Sequence, residues 1–306
     1  MRIILLHNPV SGRGAGAAAA ERLLPALVAA GHTVTCVATQ VGDARAWLPD
    51  DLHDAEALVV VGGDGTVRSI ASAAVAAGVA VLQVPLGTEN LLARGLQMRS
   101  TSESVIQTLE AGHVIEVDLA QANGSPMLLM ASAGLDAEVV EYVTERRRTR
   151  VSKWLYVQGL LRCLAKHQPP VCALHVDGEC VFERGQGWIV IANAPDYGGR
   201  LDPAPDAVLN DGLLDVVFMP GATSWSMLGW IARTRLNVHR SLSEVVTCRG
   251  SHVRVTFEVP ASWQMDGETP EGEGRISELV VELHHAPFMV FRPPWMASCR
   301  ALGDHC

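Results

Sequence analysis

The sequence lacks the cysteine patterns and the positive charge that mark several protein classes. Its seven cysteines include no CxxC pair, so they indicate neither a disulfide framework nor a zinc site. Lys and Arg number 24 against 33 Asp and Glu, and the formal net charge is -9. A general nucleic-acid binder needs a basic face to displace counterions, which this charge argues against. We therefore expect a reduced cytosolic environment and no nucleic-acid partner.

Long apolar runs are also missing. No run reaches the roughly 18 to 20 residues of a membrane span, and the apolar segment 3–6 is much shorter than the core of a signal peptide. We therefore expect a cytoplasmic protein whose membrane contact is peripheral, at the inner membrane face. The segment 145–150 carries four arginines, which suit either anionic lipid headgroups or a solvated helix end.

The chain is long and apolar enough for two domains, with 306 residues of which 48% are hydrophobic. Strand and helix patterns alternate up to about residue 115, which predicts an α/β domain with a mostly parallel sheet. From 116 to 286, short strands and turns predict a mainly antiparallel β-sandwich. The predicted elements include a hairpin across Asn123-Gly124 between strands 114–121 and 127–132, one long helix over 136–166, and strands at 180–182 and 188–192.

The most informative stretch is 57–68. A buried strand, 57–61, stops at Gly62-Gly-Asp-Gly-Thr66 and gives way to a helical pattern. Glycines with positive φ would let the backbone approach a bulky anion, and Thr66 would cap the helix. Asp64 would then hold Mg²⁺ or orient a reacting hydroxyl. The alternative is an ordinary strand-to-helix turn in which Asp64 is only a cap.

Two further loops follow strands in the same way. Asn8 to Gly12 follows the strand 2–7, and Gly87 to Asn90 follows the strand 79–84, with Thr88 as the expected helix cap. Thr39 stands where the second strand ends. Because the carboxyl ends of parallel strands meet at one edge of a sheet, these loops are predicted to converge with 62–66. Three anion-friendly turns at one edge indicate a site for nucleotide phosphates.

These motifs resemble the diacylglycerol kinase catalytic-domain family, which includes bacterial lipid kinases and sphingosine kinases. The resemblance covers nearly the whole chain. The segments that carry it, in order, are Asn8-Pro-Val-Ser-Gly12, Gly62-Gly-Asp-Gly-Thr66, Pro85-Leu-Gly-Thr-Glu-Asn90 with Ala93-Arg94, Gly134-Leu-Asp-Ala137, Tyr197-Gly-Gly199, Asn210-Asp-Gly-Leu-Leu-Asp215 and Asp266-Gly-Glu268. In this family the C-terminal tail, here about 287–306, returns to the first domain.

The resemblance implies an ATP-dependent lipid kinase that uses Mg²⁺ and phosphorylates diacylglycerol, a sphingoid base or a related long-chain alcohol. It implies catalytic roles for Asp64, Asp266 and Glu268, with the proton acceptor in the Asp-Gly-Glu motif. It implies a further Mg²⁺ at Asp211 with the carbonyls of Val208 and Leu213. The implied nucleotide contacts are Asn8, Pro9, Ser11, Gly12, Thr39, Gly62, Gly63, Asp64, Gly65, Thr66, Arg68, Thr88 and Asn90.

One position departs from the family pattern. Family members often carry Gly-Thr-x-Asn-Asp in the third loop, whereas this chain has Leu91 at the last position, and Leu91 cannot bind a metal ion through its side chain. Glu89 is a hypothetical substitute for that carboxylate. This departure is the hint for one alternative, a non-catalytic nucleotide-binding regulator. The Gly62-Gly-Asp-Gly65 motif, which NAD kinases share, gives the other alternative, an NAD kinase. The sequence identifies neither the acceptor lipid nor the oligomeric state, and a homo-oligomer is one option.

Overall fold

The computed structural model describes residues 1–146, 153–165, 168–195, 197–198, 201–270, 274–296 and 302, apart from the side chains of Arg13 and Lys153. The chain divides into two compact units, one of residues 1–119 with 285–306 and one of residues 120–284. The sequence predicted boundaries near 115 and 286. Within the described ranges, no helix is both long enough and apolar enough to span a membrane.

The described residues contain fifteen strands and eight α-helices. The strands are β1 (Arg2–His7), β2 (Thr33–Ala38), β3 (Ala57–Gly62), β4 (Val81–Pro85), β5 (Val114–Val117), β6 (Ala120–Ala122), β7 (Ser125–Met127), β8 (Met130–Ala133), β9 (Val171–Val176), β10 (Glu179–Ala192), β11 (Leu214–Pro220), β12 (Val246–Gly250), β13 (His252–Met265), β14 (Arg275–Leu283) and β15 (Phe288–Phe291). The helices are α1 (Ser11–Gly14), α2 (Gly16–Ala29), α3 (Asp64–Ala77), α4 (Leu91–Gly95), α5 (Ser102–Ala111), α6 (Leu135–Glu145), α7 (Lys153–Leu164) and α8 (Ser224–Arg235).

The first unit is built on a six-stranded sheet in the order β2-β1-β3-β4-β15-β5. Strands β1 to β4 and β15 run parallel, whereas β5 is antiparallel to β15. All six residues of β3 are buried, as expected for an inner parallel strand that is covered on both faces. The predicted mostly parallel α/β domain is confirmed, and β15 brings the end of the chain into this sheet. The carboxyl ends of β1, β3 and β4 lie at one edge, where the three predicted loops follow them.

The second unit is a nine-stranded antiparallel arrangement within the described residues. Its main path is β12-β11-β10-β8-β13-β14-β6-β7, and β9 pairs with both β10 and β13. Strands β10 and β13 have 14 residues each, so each pairs with β9 along one half and with β8 along the other. Leu174, Ile191 and Trp263 pack in the apolar core between these strands. The predicted mainly antiparallel sandwich is confirmed.

Several predicted elements have different bounds. The helix predicted over 136–166 is two helices, α6 and α7, with residues 147–152 outside the described ranges. Strands predicted at 180–182 and 188–192 are one strand, β10, because its bulges let it bend without ending. Strand β5, predicted to belong to the second domain's hairpin, pairs in the first sheet instead. The hairpin turn at Asn123-Gly124 is confirmed between β6 and β7, with both residues at positive φ.

Candidate active site

The first two glycine-bearing loops are joined by a side-chain hydrogen bond. Asn8 Nδ2 donates to Thr66 Oγ1 at 3.1 Å, and Asn8 Oδ1 accepts from the N–H of Val10 at 3.1 Å. The sequence predicted Thr66 as the cap of α3, and this prediction is wrong. The helix begins at Asp64 after the N-cap residue Gly63, so Thr66 lies inside the first turn, where its buried hydroxyl receives the Asn8 amide.

The third loop packs directly on the other two through glycines. A Cβ at Gly87 would lie 2.7 Å from Gly63 Cα, and a Cβ at Gly12 would lie 2.7 Å from Leu86 Cγ. Asn90, at φ 49, closes the third loop with two bonds to Gly87, since its Oδ1 accepts from the Gly87 N–H at 2.7 Å and its Nδ2 donates to the Gly87 carbonyl at 2.9 Å. The three loops therefore lie together at one edge of the sheet, as predicted.

Glycine serves a different purpose in these loops from the one predicted. Gly62, Gly63 and Gly65 are not among the positive-φ glycines of the chain, and Gly63 has φ -93. Gly62 is required for space, because a Cβ there would lie 2.6 Å from Thr66 Oγ1. Of the loop glycines, Gly12 does have positive φ, at 58. The glycines thus allow the loops to pack closely, and an anion would bind to the surface that this packing forms.

Asp64 fastens the second loop to the third. Its Oδ2 accepts from the N–H of Leu91 at 2.8 Å, and its Oδ1 accepts from the N–H of Leu92 at 3.2 Å and from Gln83 Nε2 at 3.4 Å. A carboxylate at the first amides of α4 satisfies donors that have no partner within the helix. Thr88, predicted to cap this helix, is exposed, and the N-cap residue is Asn90.

The Leu91 departure is compatible with this arrangement. Leu91 contributes its backbone N–H to Asp64, and every residue except proline has that group. Glu89, the hypothetical substitute carboxylate, instead lies against Arg94, with Oε2 at 3.4 Å from Nη1. The Glu89 hypothesis therefore stays a prediction, and its described contact is an exposed ion pair.

The remaining predicted nucleotide contacts lie around the same edge. Ser11 begins the single-turn helix α1, and its N–H donates to the Asn8 carbonyl at 3.1 Å. Pro9 is exposed in the same loop. Thr39 directly follows β2 and donates its N–H to the His7 carbonyl at 2.9 Å. Arg68 is half-buried one turn into α3. All of these positions belong to the first unit.

In the second unit, the Asp-Gly-Glu motif forms a tight turn after β13. Met265 and Glu268 exchange two backbone hydrogen bonds, of 2.9 and 3.0 Å, across Asp266 and Gly267, which have φ 51 and 79. The Asp266 carboxylate accepts three backbone N–H groups, with Oδ2 receiving Leu128 at 2.9 Å and Oδ1 receiving Leu129 at 2.8 Å and Met130 at 3.0 Å. Through these three hydrogen bonds, Asp266 anchors the turn to the start of β8. Glu268 is half-buried and closes the turn.

A polar network behind this turn was not predicted. Gln264 Oε1 accepts from the Gly267 N–H at 2.8 Å, and Gln264 Nε2 donates to Ser132 Oγ at 2.6 Å. Ser132 Oγ and Tyr197 Oη both donate to Asp136 Oδ2, the latter at 2.6 Å. The Gly134–Ala137 and Tyr197–Gly199 motifs therefore meet at the Asp-Gly-Glu turn, with Gly199 outside the described residues. Their shared presence in the motif series was the only sequence signal for this network.

Burial raises the pKa of Asp136 above its ordinary 3.8, against the lowering effect of the hydrogen bonds from Ser132 and Tyr197. Burial, with the neighbouring Asp136 carboxylate, also raises the pKa of Tyr197 well above 10.0. The network thus favours a neutral Tyr197 and a carboxyl group at Asp136 that holds its proton to higher pH than an exposed aspartate.

This shift predicts a pH-dependent stability difference for Asp136→Asn. A raised folded-state pKa means that Asp136 stabilises the fold below 3.8 and loses that contribution as pH rises through the folded-state pKa. Asparagine cannot ionise. The unfolding free energy of the variant minus that of wild type should therefore increase as pH rises through this window and stay constant below and above it. Urea unfolding over a pH series measures the difference, with exposed Asp50→Asn as control. A difference that does not change with pH would contradict the shift.

The predicted Asp211 metal site has a different set of contacts. Asp211 Oδ2 pairs with Arg249 Nη2, and Asp211 Oδ1 accepts from the Leu213 N–H at 3.1 Å. Asp215, whose pKa is raised by burial against the lowering effect of Arg249, lies 3.2 Å from the same guanidinium. Val208 is half-buried nearby in the sequence. A guanidinium at the carboxylate does not form the oxygen donor set that Mg²⁺ prefers. The role of Asp211, Val208 and Leu213 as metal ligands stays a prediction.

Comparisons with known proteins were made on both sequence and fold. Residues 2–122 match the family model described as diacylglycerol kinase catalytic domain, and residues 130–280 match the one described as YegS C-terminal NAD kinase beta sandwich-like domain. A diacylglycerol kinase of Bacillus subtilis (strain 168) is 24% identical over 277 residues, which cover 87% of this chain and 89% of that one. A probable lipid kinase YegS-like of Enterobacter sp. (strain 638) is 26% identical over 245 residues, covering 78% and 80%.

Another relative is matched over a smaller share of its length. An uncharacterized protein of Synechocystis sp. is 28% identical over 216 residues, which span 69% of this chain and 50% of that one. Among solved structures, a Bacillus anthracis str. Sterne protein described as a diacylglycerol kinase has a TM-score of 0.69 at 18% identity, covering 96% of this chain and 97% of that one. A second chain from that organism has a TM-score of 0.77 at 20% identity, covering 96% and 95%. At these identities the structures establish the fold alone.

Proposed function

We propose that this chain, which matches the diacylglycerol kinase catalytic-domain model over residues 2–122 and the YegS C-terminal model over residues 130–280, transfers the γ-phosphate of ATP to the hydroxyl of diacylglycerol or of a related long-chain lipid alcohol. The observation that carries this proposal is the mutual fastening of the three loops at one edge of the first sheet. Asn8 with Thr66, Gly63 with Gly87, and Asp64 with Leu91 make a single preformed surface from three separate segments.

The phosphates of ATP are proposed to bind on this surface. The amino end of α3 favours negative charge, because the first amides of a helix lack intrahelical acceptors and the helix dipole is positive there. Ser11 and Thr39 provide hydroxyl groups at neighbouring strand ends. Asn8 and Asn90 act as positioning residues that hold the loops together, since their side chains are bonded within the site.

Magnesium is the expected companion of ATP, and when bound it neutralises charge that develops on the β- and γ-phosphates. Asp64 fits such an ion, because it presents carboxylate oxygens, the donors that Mg²⁺ prefers, at the anion-favouring first turn of α3. We assign Asp64 both duties, fastening α4 and facing the ion.

Glu268 is the proposed proton acceptor. In the reaction, the acceptor hydroxyl oxygen forms a bond to the γ-phosphorus, the bond from that phosphorus to the β–γ bridging oxygen breaks, ADP leaves, and the hydroxyl proton passes to a carboxylate. Asp266 already accepts three backbone N–H groups, which makes it a positioning residue for the turn. The neighbouring carboxylate of the same turn, Glu268, is left as the candidate base.

A membrane surface is the proposed partner. On α7, the exposed apolar residues Trp154, Val157 and Leu161 share one helix face at spacings of three and four residues, with 63%, 42% and 63% exposure. Such a face suits the interfacial region of a bilayer. Residues 147–150, which contain most of the arginine run predicted to contact headgroups, lie outside the described residues. Of the two tryptophans on α8, Trp230 is buried and donates to the Pro220 carbonyl, whereas Trp225 is exposed, at 76%.

The α7 face predicts a substrate-presentation effect. Trp154→Ser should lower turnover several-fold on diacylglycerol presented in vesicles, because it removes a large apolar contact with the bilayer. Turnover on detergent-dispersed diacylglycerol should be unchanged. Trp225→Ser is the matched control, because it removes another exposed tryptophan, on α8. Equal loss on vesicles and in detergent, or no loss on either, would contradict the membrane role of α7.

A panel of defined acceptors tests the function. The purified chain is incubated with Mg²⁺, γ-labelled ATP and, separately, diacylglycerol, a sphingoid base or NAD. We expect label on one of the two lipids and none on NAD. Label on NAD would identify an NAD kinase instead, and bound ATP without transfer to any acceptor would indicate a nucleotide-binding regulator.

A further inference from the structure

Three side chains on the second unit form a cluster with metal-binding chemistry. In the described part of the chain, one ligand atom each from His175, Cys180 and Glu183 lie within 4.8 Å of one another. Cys180 and Glu183 are exposed and His175 is half-buried, so the cluster opens to solvent. The cluster is on the β9–β10 hairpin, away in sequence from every residue assigned to phosphate transfer above.

A β-bulge creates this cluster. Cys180 pairs directly with His175 across the hairpin, which places both on one face. Residues three apart on a regular strand point to opposite faces, so Glu183 would normally face away from Cys180. The register shifts between Cys180 and Phe182, where one extra residue is inserted in β10, and this returns Glu183 to the face of Cys180.

The surroundings of the cluster agree with a ligand site. Buried polar atoms in proteins are nearly always hydrogen-bonded, yet His175 Nδ1 is buried without a partner. Cys180 Sγ donates to Glu183 Oε1 at 3.4 Å, so two of the three ligand atoms already face each other. Arg254, the cross-strand neighbour of His175 on β13, is ion-paired with Glu278, which offsets its charge.

We propose that His175, Cys180 and Glu183 bind one Zn²⁺ ion. Imidazole nitrogen, thiolate sulfur and carboxylate oxygen are all zinc ligands, and three protein ligands leave the fourth tetrahedral position to water. Binding forms the Zn–S bond and releases the Cys180 proton to solvent. Zinc bonds of about 2.0 to 2.3 Å require ligand atoms roughly 3.5 Å apart. Side-chain rotations that move the ligand atoms by about 1 Å would bring them to this separation. The ion would fasten β9 to β10 across the bulge.

Cobalt substitution tests the site on the full chain without reference to kinase activity. Metal-free protein is titrated with Co²⁺, whose thiolate complexes give a sulfur-to-metal charge-transfer band, and then with Zn²⁺, which displaces the cobalt. Cys180→Ser is compared with Cys36→Ser, a matched change at another exposed cysteine. We expect wild type and Cys36→Ser to give the band, saturating at one equivalent, and Cys180→Ser to lack it. Glu183→Gln should weaken cobalt binding several-fold.

Thermal unfolding provides a second measurement. Zinc that binds only the folded chain should raise the Tm of wild type and Cys36→Ser, and should leave the Tm of Cys180→Ser unchanged. A wild-type protein with no band, or a band that persists in Cys180→Ser, would overturn the proposal. A folded Cys180→Ser protein, checked by circular dichroism, ensures that a lost band reports lost ligation.

Discussion

Asp64→Asn is expected to lower kcat for phosphate transfer by at least about 100-fold, since a displacement near 1 Å in a reacting site costs that much. The asparagine amide keeps one acceptor oxygen and places an NH₂ group against the backbone donor of either Leu91 or Leu92, which bond to different oxygens of Asp64. The third loop must then move, and the charge proposed to face Mg²⁺ is lost as well. Initial-rate kinetics at saturating ATP measure the effect.

The matched control for Asp64→Asn is Asp50→Asn, an exposed carboxylate of the same unit. The control should leave kcat unchanged, because it removes the same charge away from the loops. Since α4 is anchored through Asp64, we also expect the Asp64 variant to unfold at lower urea concentration. Wild-type kcat in Asp64→Asn would contradict both the anchoring role and the assignment of the phosphate site.

Asp266→Asn and Glu268→Gln are expected to separate stability from catalysis. Asp266→Asn should lower the free energy of unfolding by about 2 kcal/mol, because it leaves at least one of three backbone donors without an acceptor. Glu268→Gln keeps the size of the side chain and one acceptor oxygen, so it should lose less stability than Asp266→Asn, and it should lower kcat by roughly 100-fold or more, the usual contribution of a general base. Urea unfolding and initial rates, measured on both variants, form the test.

Two other outcomes would contradict the roles assigned to Asp266 and Glu268. If Glu268→Gln keeps wild-type kcat while Asp266→Asn is stable and inactive, the base assignment is wrong. If both variants are unstable, Glu268 belongs to the anchoring of the turn. The structure favours the expected pattern, a destabilised Asp266→Asn protein and a more stable, inactive Glu268→Gln protein, because the three N–H donors converge on Asp266.

The parts of the site that follow from topology could be predicted from the sequence. Parallel strands ending in glycine-bearing loops had to bring those loops to one edge, and Gly63 now lies against Gly87. The function of individual side chains could not be predicted in this way. Thr66 has the composition of a cap, but its hydroxyl is taken by Asn8 from a loop 58 residues away. Local propensity gave no indication of that tertiary partner.

Contacts that depend on long-range register were beyond the sequence. Asp136 and Tyr197 are 61 residues apart, and Gln264 joins their network from β13. The His175 cluster depends on one extra residue in β10, which periodicity alone cannot locate. The scattered cysteines therefore indicated no zinc site, although two strands bring one of them beside a histidine.

Transfer of labelled γ-phosphate from ATP to a total lipid extract tests the central claim most directly. Wild type and Asp64→Asn are compared in the presence of Mg²⁺, with ATP binding measured on the same samples. The account predicts a labelled lipid with wild type that is lost in the variant. Wild-type protein that binds ATP and labels no lipid would contradict it.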